Sequence, residues 1–109
     1  MRLRVDTSQV QRFIVSRAPV PKVDRESGQQ RADVNTGELL FSVQVMALDD
    51  SGGEVLSVTV PGEPKVALGQ DVRIEGLVVI PWEQNGRSGV AFRAVSMVPA
   101  EAPRAKTAA

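Results

Sequence analysis

The chain has 109 residues, 42% of them hydrophobic, with thirteen basic and thirteen acidic side chains and a formal net charge of zero. That length fits one domain, since single domains run to roughly 100–150 residues, and no apolar run approaches the ~20 residues of a membrane-spanning helix. Cysteine and histidine are both missing, which excludes disulfides and thiolate chemistry and removes the commonest metal ligand and the usual general base near neutral pH. No catalytic residue, metal, cofactor or small-molecule substrate is therefore expected, and binding is the expected activity.

Met1-Arg2-Leu3-Arg4 leads into polar Thr7-Ser8-Gln9 instead of an apolar stretch, so neither a secretory signal nor a membrane anchor is expected and the cytoplasm is the expected compartment. Charge is segregated along the chain. Residues 1–31 carry +4, residues 32–75 carry −6 and the remainder +2. Folding could gather the basic part into one face, as a nucleic-acid groove requires.

Gln9 to Arg17 (QVQRFIVSR) is rich in β-branched and aromatic residues and predicts a strand that stops at Pro19 and Pro21. From Lys22 to Gly37 the chain is polar with two turn signals, Glu26-Ser27-Gly28-Gln29 and Asn35-Thr36-Gly37, which predicts a long loop or an exposed two-stranded arm. Leu39 to Leu48 and Glu54 to Val60 flank Asp49-Asp50-Ser51-Gly52-Gly53 and predict a hairpin. In its first arm Phe41, Val43, Val45 and Ala47 share the core face; the other face is half apolar and suits a covering partner, such as a second subunit.

Lys65 to Leu68, ahead of Gly69, has room for about one helical turn. Val72 to Ile80 predicts one long strand bent at Gly76. Asn85-Gly86 is the strongest short hairpin signal, and Val90 to Val98 returns as the last strand. The Ala-rich residues 100–109 lack apolar periodicity and predict a disordered tail after a domain spanning 1–99. No internal repeat is evident. Five strands in this order, with a long arm between the first and second, fit an all-β fold, a five-stranded Greek-key barrel of the OB type; an SH3-like small barrel or a β-sandwich fragment uses similar strand spacing.

Bases stack on exposed aromatic faces beside basic residues, and only Phe13, Phe41, Trp82 and Phe92 are aromatic. The three phenylalanines fall at core positions. Trp82 stands at the mouth of the last hairpin, where stacking on a ligand and packing within the fold are equally open. Arg87 follows the Asn-Gly turn. Arg93 faces outward and either meets a phosphate or pairs with a cross-strand acid such as Glu75. Arg12 and Arg17 lie on the first strand, and the arm offers Lys22, Arg25 and Arg31 as a basic set able to close over an extended ligand.

Ser8-Gln9-Val10-Gln11, Leu39 to Leu48, the connector ending at Gly69, and Ser88-Gly89-Val90 through Met97-Val98-Pro99-Ala100 resemble the gene-five type of single-stranded-DNA-binding protein of filamentous phages, over residues 4–100. The resemblance implies an OB-type barrel that dimerises about a two-fold axis and coats single-stranded DNA, with Arg17 and Lys22 as DNA contacts. The tyrosines on which those proteins stack bases have no counterpart here, because this chain has none. Val20-Pro21-Lys22, Gly28-Gln29-Gln30-Arg31 and Gly86-Arg87-Ser88-Gly89-Val90-Ala91-Phe92-Arg93 are also similar to small, regulatory-labelled proteins of actinobacterial integrative plasmids. The expected function is sequence-tolerant single-stranded-DNA binding in the replication of a plasmid or phage-like element. The alternative is a protein-interaction module serving a replication or transfer partner.

Overall fold

The computed structural model describes residues 3–8, 10–24 and 26–100, and within them the protein is all β, with no helix. Eight strands follow one another: β1 (Leu3–Arg4), β2 (Arg12–Pro21), β3 (Leu40–Asp49), β4 (Gly52–Pro61), β5 (Asp71–Glu75), β6 (Val78–Gln84), β7 (Arg87–Arg93) and β8 (Ser96–Pro99). They form one open sheet in the order β1-β6-β7-β4-β3-β2-β5-β8. All neighbours are antiparallel except β4 and β7, which meet in parallel at Val58 and Phe92 and at Thr59 and Arg93.

The count of eight instead of five comes from the short β1, which pairs with β6, and from a break in each of the last two expected strands. The expected fourth strand breaks at Gly76, whose φ of 68° lies in the left-handed region and turns β5 into β6. A Cβ at Gly76 would also stand 2.5 Å from a methyl of Val95, so the break is packed against the matching interruption at Ala94 and Val95, between β7 and β8. The stretch after Pro64 contains no helical turn. It is tied by Gln70, whose side-chain oxygen accepts from the Ala67 amide at 2.9 Å, and by Gly69, which donates to the Val15 carbonyl at 2.8 Å.

The strand that begins at Arg12 runs past Pro19 and ends at Pro21. Val15 opposes Val45, Arg17 opposes Gln44 and Val20 opposes Ser42, so β2 carries an extra residue in each interval. Both bulges keep the strand paired with β3, and Pro19, which has no amide proton to give, falls within the second.

One hydrophobic core holds the sheet together. It contains Phe13 and Val15 from β2, Val43 and Val45 from β3, Val58 and Val60 from β4, Val72 and Ile74 from β5, with Leu77, Ala94 and Met97. Burying a valine is worth about 1.5–3 kcal/mol, and the completely buried side chains here are all valines, which suits β-branched residues on a pleated surface. Phe92 packs against this core. Phe41 does not join it; it is half-buried, and Leu40 beside it is buried instead.

The polar stretch between β2 and β3 is folded. Lys22 donates its amide to the Leu40 carbonyl, Leu40 to Arg31, and Arg31 to Lys22, at 2.7–3.0 Å, so three points nine residues apart close a ring at the base of the arm. Two turns of the same design stand on that ring. In the first, Asp24 accepts from the amides of Glu26 and Ser27; in the second, Asp33 accepts from Asn35 and Thr36. Each then passes through a glycine in the left-handed region, Gly28 at φ 72° and Gly37 at φ 78°, a conformation that costs other residues a Cβ clash. The Ser27 and Thr36 hydroxyls accept from the amides of Gln29 and Glu38. KVDRESGQQ and RADVNTGEL are thus two copies of a nine-residue unit. The repeat is not evident in the sequence because the copies agree strictly only at aspartate and glycine.

Candidate nucleic-acid interface

The β6–β7 hairpin is the second element of the site. Gln84 pairs with Arg87 across the two-residue turn Asn85-Gly86, and both turn residues have positive φ, 54° and 76°, the geometry whose twist matches a hairpin. Three residues before that turn, Trp82 is paired with Gly89. A Cβ at position 89 would come within 2.8 Å of indole Cζ2, so the ring lies across Gly89 and uses the room that its missing side chain leaves. Trp82 remains 45% exposed and borders a cleft on either side, one shared with Val90 and the other with Arg31 and Arg87.

The second cleft joins arm and hairpin. It encloses about 850 Å³ and is lined by Arg31, Trp82, Gln84, Asn85 and Arg87. Two guanidinium groups, an exposed indole and two carboxamides therefore border one open groove. Guanidinium groups suit phosphate oxygens and base edges, carboxamides hydrogen-bond base edges, and an indole offers a stacking face. Gln84 and Asn85 are not among the contacts expected from the sequence, where Asn85 marks only the turn; their nearness to Trp82 along the chain is the available signal.

At the base of the arm Lys22 and Arg31 occupy the first position of each nine-residue unit. Burial, and after it the neighbouring Arg31 charge, hold the Lys22 ammonium below the usual lysine range. No described ion pair involves Lys22, Arg17, Arg31 or Arg87. Arg17 is exposed between the two bulges of β2.

The remaining basic residues of the expected interface are placed differently. Arg12 grips Asp71 on β5 through two hydrogen bonds of 2.8 Å, and this bidentate contact holds the Asp71 carboxyl below the usual carboxylate range. Arg93 pairs with Asp33 of the arm, not with a phosphate-facing surface or with Glu75. The Asp33 side chain is only 10% exposed, and its carboxyl is held low first by the Asn35 and Thr36 amides and then by Arg93. Arg12 thus joins β2 to β5, while Arg93 fastens the second lobe of the arm to β7. Arg25 lies outside the described residues, as does the expected tail beyond Ala100.

Among the described residues no cluster of acidic side chains forms a metal site, and no helix is long and apolar enough to cross a membrane. Comparison with family models, with curated proteins and with solved structures finds no match.

Proposed function

We propose that this protein binds single-stranded DNA, without strong sequence preference, along the groove between the arm and the β6–β7 hairpin. The observation that carries this reading is the meeting of Arg31 with Trp82, Gln84, Asn85 and Arg87 around one open cleft. Lys22 and Arg17 extend the positive surface toward β2. An unpaired strand alone exposes base faces to an indole in this way.

The strand pairings support an OB-type barrel as the frame. With β5 and β6 taken as one strand broken at Gly76, and β7 and β8 as one broken at Ala94, five strands remain beside the two-residue β1, which pairs with β6. β2 neighbours both β3 and β5, β3 neighbours β4, β4 meets β7 in parallel, and β7 and β8 flank β6 and β5. That order of neighbours is the one a five-stranded Greek key of the OB type requires, and it supports the reading because OB domains commonly bind oligonucleotides. The phage-type resemblance adds a two-fold dimer, which sedimentation at tens of micromolar tests.

Trp82 is the sole tryptophan and tyrosine is absent, so intrinsic fluorescence reports on the groove alone. Titration with an oligothymidylate at low salt should quench it with micromolar affinity, and a duplex of the same length should not. Trp82→Ala, followed with labelled DNA, should lose about 1–3 kcal/mol of binding. Unchanged fluorescence together with no single-strand binding at low salt would defeat the proposal. Exposed Val55 and Val90 would then favour the protein-interaction reading.

A further inference from the structure

A second cavity lies away from the groove and has another character. It encloses about 280 Å³ between the N-terminal segment, the β3–β4 turn and the open end of the core. Its apolar wall includes Val10, Phe13, Ala47, Leu56, Leu77 and Phe92. The space has a cause in the sequence: along the core row of β3, Val43 and Val45 are followed by the small Ala47, which leaves the end of the row unfilled.

The rim is polar on one side only. Asp49 and Glu54 both line it, while no lysine or arginine does so among the described residues. The Asp49 Oδ1 atom accepts from the Ser51 amide at 2.8 Å and the Ser51 hydroxyl at 2.6 Å, and the Gly52 amide also faces this carboxylate, whereas no described hydrogen bond uses the Glu54 carboxylate. Above the cavity the N-terminal segment is held by the Val5 amide on the Leu77 carbonyl at 3.0 Å and by Gln11, which donates to Asp50 at 2.6 Å.

We infer that this cavity is a binding site for a small aromatic molecule carrying an ammonium group, with the ring among the core side chains and the cation against Asp49 and Glu54. The size fits. An apolar cavity of roughly 150 Å³ holds a benzene, so about twice that volume suits a bicyclic ring. Ligand pockets are commonly built this way, with an apolar wall and a few polar groups that fix orientation. The charge fits as well, because two carboxylates at the rim attract a cation and repel an anion. The site is separate from the DNA groove, so it stands or falls independently of that reading.

The test uses the full chain and three indoles of similar size: tryptamine, neutral tryptophol and anionic indole-3-propionate. Tryptamine should shift the backbone amide resonances of Val10, Gly52, Gly53 and Leu56, with tryptophol weaker and indole-3-propionate weakest. The isosteric pair Asp49→Asn and Glu54→Gln should lower tryptamine affinity about tenfold and bring it level with tryptophol. Ala47→Leu, which fills the cavity, should abolish binding of all three, checked against a spectrum that confirms the fold. Absence of shifts at millimolar tryptamine, or equal affinity for cation and anion in the unaltered protein, would overturn the inference.

Discussion

Lys22 keeps a positive charge half out of water and beside a second cation, with no acid among the described ion pairs to offset either. Its folded-state pKa lies below the unfolded value, so the unfolded chain holds its proton more readily and stability rises as pH climbs toward the lysine range. At neutral pH the charged Lys22 therefore opposes folding slightly, and a bound phosphate would remove that opposition. Lys22→Met keeps the stem and deletes the charge. It should leave the urea midpoint equal or higher, by up to about 0.5 kcal/mol, while weakening oligothymidylate binding; a lower midpoint with unchanged binding would make Lys22 a structural residue. The carboxylates behave oppositely. Asp33 and Asp71 are held below their ordinary pKa, so their stabilisation is complete above the unfolded value of about 4 and disappears as pH falls through the folded values. With no histidine in the chain, urea midpoints should stay nearly level from pH 5 to 8 and drop below about pH 4.

The arm is an element whose two lobes share a turn design but not an anchorage. Among the described residues only the second lobe contributes an acid to an ion pair with the sheet, through Asp33 and Arg93. Asp33→Ala removes two amide caps and leaves the largely buried Arg93 charge without its partner, at a cost of about 1–3 kcal/mol. Asp24→Ala removes only the corresponding caps of an exposed turn and should cost less. Hydrogen exchange separates the two effects: in Asp33→Ala the amides of residues 31–40 should lose protection while those of Val43, Val45 and Val58 keep theirs. Equal loss throughout the chain would mean that the arm and the core unfold together. The sequence showed the turn residues of this arm and its basic side chains, because glycine, aspartate and serine act locally. It did not show the closure at Lys22, Arg31 and Leu40, which is made by backbone atoms common to every residue. The same limit explains the strands: the β3–β4 and β6–β7 hairpins were legible from their turns and alternation, and so was the end of β2 at Pro21, whereas its continuation past Pro19 depended on bulges set by pairing with β3.

Across the whole molecule, zero net charge conceals a division that folding sharpens. Arg12 and Arg93 lie on strands beside core residues and look like interface cations in sequence, yet each is matched with an acid 60 or so residues away, a pairing that spacing along the chain cannot reveal. Trp82 and Arg87 were legible as a pair because they share one hairpin; their meeting with Arg31 was not, because arm and hairpin are joined only by the fold. Of the expected contacts, Arg17, Lys22, Arg31 and Arg87 are in no described ion pair, and in the proposed binding mode these four meet phosphate. For single strands the logarithm of affinity falls with the logarithm of salt at roughly 0.7 per neutralised phosphate, so four contacts give a slope near −3. Were Arg12 and Arg93 also to reach phosphates, the slope would approach −4, at the further expense of their bonds to Asp71 and Asp33. Oligothymidylate titrations across a range of salt should therefore give the shallower value. Arg31→Ala and Arg87→Ala should each lower it by about 0.7, whereas Arg12→Ala should lower stability and leave the slope unchanged, because its guanidinium is held by Asp71 before DNA arrives.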